Sequence, residues 1–235
     1  MTSTTLNILC SDVDTALATA RSIARSKGHK WTKSESVVFR QSCSADYPLT
    51  LPDYVTSHKE GIQHWCDRYF SDKYSTIEDR LNFEPTTIED TALRTIINAL
   101  QPSSPPCTIK NNHDTYKHSH SLMGDLLETY IASNLVGTQW HFCYGAVVKL
   151  VDIISEDGRV LQIKCRSTTE NSASKYARVS LGIDVWWRFN PFTGGTNWDA
   201  LNEIIKPQKP MTEELFLKYI HNEIHTATPT ESDVC

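Results

Sequence analysis

Three polar residues in the middle of the chain, Asp152, Gln162 and Lys164, have the types and spacing of a metal-assisted hydrolytic site. Gln162 and Lys164 alternate with apolar residues in Arg159-Val-Leu-Gln-Ile-Lys-Cys165. On an extended strand alternate side chains share a face, so these two point the same way while Leu161, Ile163 and Cys165 point to the opposite, buried face. Asp152 lies earlier, across Ser155-Glu-Asp-Gly158, a tight-turn sequence whose glycine supplies the positive φ such turns need. A hairpin closed there brings Asp152 beside Gln162 or within one pair of it. A carboxylate, an amide carbonyl and an ammonium then meet at one end of a sheet. Hard oxygens of this kind hold Mg²⁺, which polarises a phosphodiester and acidifies a water, while a nearby lysine stabilises the developing negative charge. Asp152 is the expected principal metal ligand, Gln162 offers a neutral oxygen, and Lys164 is the expected catalytic amine.

One carboxylate is thin support for a divalent cation. A second acid, Glu128, occurs in Gly124-Asp-Leu-Leu-Glu128, on a stretch with helical apolar periodicity. At 100° per residue it falls at the margin of the apolar stripe, where it can reach a site beside the sheet without being entombed. We expect it to be the second acidic metal ligand. Asp152 followed by Gln162-Ile-Lys164 resembles the P-D…[D/E]-x-K nuclease motif in its Q-x-K variant, with Glu128 matching the helix acid of several branches. Val151 stands where the motif has proline, and Gln162 replaces the second acid, which bears on the number of metals held.

Beyond the motif, the stretch from Gln162 to Ser174, with Val185-Trp-Trp-Arg188 and Thr196-Asn-Trp198, is similar to type II restriction endonucleases of the SinI family. The likeness runs from about Gly124 to Trp198. It implies Mg²⁺-dependent cleavage of double-stranded DNA at a short site of the GGWCC kind, by an activated water. Cutting both strands of a near-palindromic site calls for two active sites related by symmetry, hence a homodimer. Its interface is expected from the N-terminal helices or those after Trp198. The other readings are a repair or recombination nuclease on the same fold, and a DNA-binding protein with a decayed site, for which Gln162 is the warning sign.

The polar tract after the motif suits phosphate contacts from Arg166, Ser167, Asn171, Ser172, Ser174, Lys175 and Arg178, which set register without reading sequence. It reads equally well as a hydrophilic connection. Arg188 and Asn197 are candidates for reading bases, since arginine pairs two-pronged with guanine and asparagine with adenine; an ion pair is the commoner fate of such an arginine. Trp186, Trp187 and Trp198 read as core. His118 and His120 sit two apart, a poor spacing for chelation on a helix, so zinc is not expected.

The elements that must position these residues follow from periodicity. Ser11 can cap a helix carrying Val13, Leu17, Ala20 and Ile23, stopped by Gly28. The segment 33–56 reads as mostly loop. Helical stripes recur from Ile62 to Phe70 and from Ile88 to Leu100, then from about Asp114 to Leu135. Trp140 to Ile154 reads as one or two strands, and Trp198–Ile205 and Met211–Ile224 as helices. Gln101-Pro-Ser-Ser-Pro-Pro106 is the clearest break. The expected organisation is a mainly helical N-terminal subdomain (1–100), a Pro-rich linker (101–113) and a nuclease core (114–235). The fold class is α/β, a mixed central sheet of four or five strands flanked by helices.

Composition sets the outer bounds. The 235 residues are 39% hydrophobic and 22% charged, ordinary for a globular chain with a real core. No apolar run is long enough to span a membrane, and a secretory leader is not expected. Seven scattered cysteines without a Cys-x-x-Cys pair suggest reduced thiols and a cytoplasmic setting. A net charge of -5 means that any DNA contact depends on a local basic groove rather than the global sum.

Overall fold

The structure, a computed structural model, describes residues 5–6, 12–47, 49–81, 106–167 and 172–227, without the side chains of 106–110, 172–174 and 227. The first helix, α1 (Val13–Ser26), buries Leu17, Ala20, Ile23 and Ala24, the apolar stripe of the sequence. Its cap is Asp12, whose carboxylate accepts the Asp14 and Thr15 amides at 3.1 and 3.3 Å; Ser11 lies outside the described residues. The chain then departs from expectation. Lys33–Ser42 is not loop but a second helix, α2, opened by a capping box in which Thr32 and Glu35 satisfy each other's backbone donors. Its Val38 and Phe39 are fully buried, with the Phe39 ring edge-on to Trp65 at 5.0 Å. Helix α3 (His58–Lys73) is capped the same way by Ser57 and Glu60 and buries Ile62, Trp65, Cys66, Tyr69 and Phe70. A short α4 (Ile77–Leu81) follows. The helix expected over Ile88–Leu100 and residues 101–105 of the expected linker lie outside the described residues.

Helix α5 (Pro106–Asn134) starts earlier than its apolar stripe suggested, so 106–113 is helical rather than an extended connection. Proline tolerates the first helical position because its missing N–H has no partner there in any case. Strands β1 (Trp140–Phe142), β2 (Ile153–Ser155), β3 (Val160–Arg166) and β4 (Asp184–Phe189) form one mixed sheet in that order. The first two pairings are antiparallel; β3 and β4 are parallel, joined through α6 (Ser172–Ser180). Two helices close the described chain, α7 (Trp198–Ile205) and α8 (Glu213–Ala227). None of the described helices is long and apolar enough to cross a membrane.

The sheet is covered on both faces, and the alternation along β2 and β3 decides which residue enters which core. Ile154 and Val160 pack with α1–α3, alongside Val38, Phe39, Trp65 and Tyr69. Ile153, Leu161 and Ile163 pack with α5, α7 and α8, alongside Leu127, Ile131, Trp186, Trp198 and Phe216. Trp186 and Trp198 are core, as their density suggested. The helical N-terminal part is therefore laid directly on the sheet. The apolar run Val147–Val151, which reads as strand, is not one: Val147, Val148 and Val151 are buried in loop conformation, and Leu150 has φ +61°.

Candidate functional site: a carboxylate pair at the end of the central hairpin

The hairpin that carries the motif is set by its turn. Gly158 has φ +88°, and the Ser155 amide donates to the Arg159 carbonyl at 2.9 Å, closing β2 onto β3. Ile154 pairs with Val160 and Ile153 with Leu161, the last pair of the ladder, and Asp152 directly precedes β2 at that point. Three hydrogen bonds fix Asp152. Its amide donates to the Leu161 carbonyl at 3.1 Å, and its carbonyl accepts the Cys143 amide at 2.9 Å. Its Oδ2 accepts the Ile163 amide at 2.6 Å, which locks the carboxylate against the β3 backbone.

Gln162 and Lys164 share a face of β3 with Val160, the face under the N-terminal helices, so this side is not the open one that alternation alone suggested. Gln162 is 7% exposed, while Lys164 is half-buried opposite Trp187. Burial pushes the Asp152 carboxyl up to about 6, against the pull of the Ile163 amide and the Lys164 charge. A buried carboxylate without a full counter-charge is thus held at the strand end, with an ammonium within electrostatic reach.

Glu128 projects from α5 into the same field. Burial, and then the charges of Asp152, Asp125 and Asp72, raise its carboxyl to about 8, with Arg80 opposing. Asp72 and Arg80 carry no signal in the sequence that would mark them. Arg80 stands 3.8 Å from the Asp72 carboxylate and donates to the Asp125 carbonyl at 3.4 Å and to Thr129 Oγ1 at 3.2 Å. Asp72 in turn accepts the Gly145 amide at 2.7 Å. Gly145 has φ +70°, and a Cβ there would lie 2.5 Å from the Arg68 carbonyl oxygen, so glycine alone allows the loop leading to Asp152 to close on α3. These residues sit on α3 and α4, far from the motif in sequence, and no spacing rule links them to it.

Asp152, Glu128 and Gln162 carry side-chain oxygens of the type that a hard divalent cation prefers. The mutual repulsion of the two acids is what such a cation relieves. Among the described residues no three His, Cys, Asp or Glu side chains lie close enough together to hold a metal.

The residues expected at DNA do not gather at one end of the sheet. Arg166 is half-buried opposite Phe189, and Ser167 is exposed, its amide bonded to the Phe189 carbonyl at 3.1 Å. Lys175 is exposed on α6. Asn171 lies outside the described residues, as do the side chains of Ser172 and Ser174. Arg178 donates to the Ile183 carbonyl at 2.8 Å, holding the turn from α6 to β4. Asn197 starts α7, its backbone tied to Arg188 and Trp186 and its side chain making no cap bond. Arg188 does not keep its base-reading assignment. It is 8% exposed, ion-paired with Glu213, 3.6 Å from Met123 Sδ, and stacked over Phe216 at 5.4 Å, because its strand face is covered by α8.

The structure adds one residue that the sequence did not suggest. Because β3 and β4 run parallel, with Lys164 against Trp187 and Arg166 against Phe189, the chain leaving β4 emerges at the Lys164 end of the sheet. The loop there is closed by Asn190 N to Gly195 O and Gly194 N to Asn190 O, both 2.9 Å, and by the Phe192 amide on Asn190 Oδ1 at 2.9 Å. It presents Phe192 with 84% of its surface exposed.

Comparison with known proteins places the chain among restriction enzymes. The chain is 34% identical over 146 residues to the type II restriction enzyme Eco47I of Escherichia coli, and 32% identical over 145 residues to the type II restriction enzyme SinI of Salmonella infantis. Each alignment covers 59% of this chain and 63% of the relative, so the shared stretch spans less than two thirds of those enzymes. A family model described as SinI restriction endonuclease matches residues 53–226, which takes in α3, α4, the whole sheet and nearly all of α8. On that match the chain belongs to the SinI restriction endonuclease family.

Proposed function

We propose that this protein is a Mg²⁺-dependent endonuclease that cuts both strands of double-stranded DNA at a short defined sequence. The observation that carries the reading is Asp152, clamped by the Leu161 carbonyl and the Ile163 amide on either side of Gln162, with Lys164 and Glu128 both in its electrostatic field. Asp152, Glu128 and the Gln162 carbonyl oxygen would hold the cation. Bound there, Mg²⁺ supplies polarisation of the phosphodiester and a more acidic water.

The chain's own groups do the rest. The Ile163 amide holds one oxygen of Asp152 and leaves the other for a ligand, which fixes the direction in which the carboxylate presents its charge. Glu128 and Asp152 must both be ionised to act as ligands. Their raised pKa values make the empty pair unfavourable and a counter-charge favourable. Lys164 would neutralise charge that builds on the phosphate oxygens as the water attacks. No covalent intermediate is needed.

The resemblance to restriction enzymes extends the proposal to a recognition sequence of the GGWCC kind and to a homodimer acting on the two strands. Phosphate contacts from Arg166, Ser167 and Lys175 would set the register of the duplex at this end of the sheet, with Asn197 and Phe192 facing its bases. The test is direct. Purified protein is incubated with plasmid DNA and Mg²⁺, and the fragment ends are sequenced. Discrete fragments with one shared end sequence support the proposal, and intact plasmid under all divalent cations ends it. The single amide in place of a second acid on β3 favours one competing reading, a protein that binds DNA without cutting it, which the same assay coupled to a gel-shift separates.

A further inference from the structure

Well away from the carboxylate pair, α1, the Gly28 turn and the start of α2 enclose a cleft of about 730 Å³. Arg21, Arg25, Lys30 and Lys33 line it, with His29 and Trp31. Four cations converge here in a chain whose net charge is -5. Like charges so gathered repel one another unless an anion lies between them. Two of the four have partners: Lys33 pairs with Glu156 at 2.6 Å, and Arg21 donates to Ser36 Oγ at 3.1 Å. Among the described residues, Arg25 and Lys30 meet no acidic side chain. The wall itself is ordered. Trp31 Nε1 donates to the same Ser36 hydroxyl at 2.9 Å, and His29 stacks on Phe70 with ring centres 4.3 Å apart.

We propose that this cleft binds phosphate groups, and that in the working protein these belong to the DNA backbone outside the cleaved sequence. The inference rests on the DNA-cutting reading for its ligand's source but not for the site itself. Guanidinium and ammonium groups lining one cleft are the side chains that recognise phosphate oxygens. The Lys33–Glu156 pair ties the cleft to the β2–β3 turn, the end of the hairpin away from Asp152. Four residues of extended chain separate Glu156 from Asp152, roughly 13 Å at about 3.3 Å per residue. That is the rise of about four base pairs, so flanking DNA is the part of a duplex on the right length scale. The cleft also precedes residue 53, where the family match begins, so it is a feature of this chain rather than one carried over from the matched region.

The test compares the whole protein with an Arg25→Gln/Lys30→Gln double variant. Binding is measured without divalent cations on duplexes of about 8 and about 30 base pairs with the cleaved sequence at the centre of each. On the long duplex we expect the variant to bind about tenfold more weakly and its salt dependence to be shallower by about 1–2 in log–log slope, roughly 0.9 for each phosphate that is no longer neutralised. The short duplex and kcat at saturating DNA should be unchanged. Equal slopes for the two proteins on the long duplex would overturn the DNA assignment. A calorimetric titration with pyrophosphate tests the site alone: wild-type binding that disappears in the double variant supports a phosphate cleft, and no binding by the wild type overturns it. Should the wild type fail to cut or bind any DNA, the proposed function fails, while the pyrophosphate result still judges the cleft.

Discussion

Replacing Glu128 with glutamine should stabilise the metal-free protein at alkaline pH and leave it unchanged in acid. Burial and three neighbouring carboxylates raise the Glu128 carboxyl from an ordinary 4.5 to about 8. Below pH 4.5 both the folded and the unfolded chain hold this proton. Between 4.5 and about 8 only the folded chain keeps it, so stability falls as the pH rises through that window. Above it, the folded protein carries a repelled and poorly solvated charge that glutamine, with the same shape, does not. At about 1.4 kcal/mol per pH unit the whole effect is ~5 kcal/mol, and water access to a half-buried side chain reduces it to about 2–4 kcal/mol. At about 2–4 °C per kcal/mol for a chain of this size, Glu128→Gln should melt roughly 5–15 °C higher than the wild type at pH 9. The assay is thermal unfolding at pH 4.5 and pH 9, with EDTA and then with millimolar Mg²⁺. The cation should raise the wild type's melting temperature more than the variant's and close the gap. A variant that melts no higher at pH 9, or that differs from the wild type by as much at pH 4.5, refutes the reasoning, since neither is compatible with a charge held under repulsion.

Substitutions at five further positions test other parts of the structure. Asp152→Ala and Lys164→Ala should each abolish plasmid cleavage while leaving DNA affinity within about tenfold in a gel-shift titration, because phosphate contacts dominate affinity; cleavage that survives Lys164→Ala removes the amine from the mechanism. Phe192→Ala should leave the melting temperature within about 2 °C, as expected for an exposed side chain, yet reduce cleavage at the preferred sequence relative to other DNA, with Phe192→Leu in between. Gly145→Ala should lower stability by about 2–4 kcal/mol by forcing the loop off α3, read as a drop in urea midpoint. Arg188→Ala should cost about 1–3 kcal/mol by removing the Glu213 ion pair and the packing over Phe216, while Glu213 keeps the bond from Trp198 Nε1, without altering the sequence cut; altered cutting at unchanged stability would restore its base-reading role.

How much of this was legible in advance depends on the range of the interaction concerned. The hairpin was readable because its determinants are local: a glycine at the positive-φ corner, and strand alternation that aligns Gln162 with Lys164 and turns Ile163 away. Helices α1, α3 and α7 announced themselves through apolar stripes of period 3.6. Helix α2 was missed although Thr32 and Glu35 spell a capping box, since its apolar residues, Val37-Val38-Phe39, are too few to show a period and are held by Trp65 of another helix. Val147–Val151 misled in the opposite sense, because an apolar run signals burial, and burial is compatible with either a strand or a packed loop.

For the site, the sequence by itself determined the chemical inventory: an aspartate, a glutamine and a lysine that a short turn must bring together, and an acid on the helix before them. Only the tertiary structure decided their electrostatics and company. The raised Glu128 pKa comes from burial and from the charges of Asp152 and Asp72 on other elements, the Arg80 brace comes from α4, and Arg188 was taken from the DNA-facing set by α8 packing over it. Local backbone geometry depends on neighbours along the chain and so can be read from it. Dielectric, charge pairing and exposure depend on neighbours in space, which exist only once the layers have closed on the sheet.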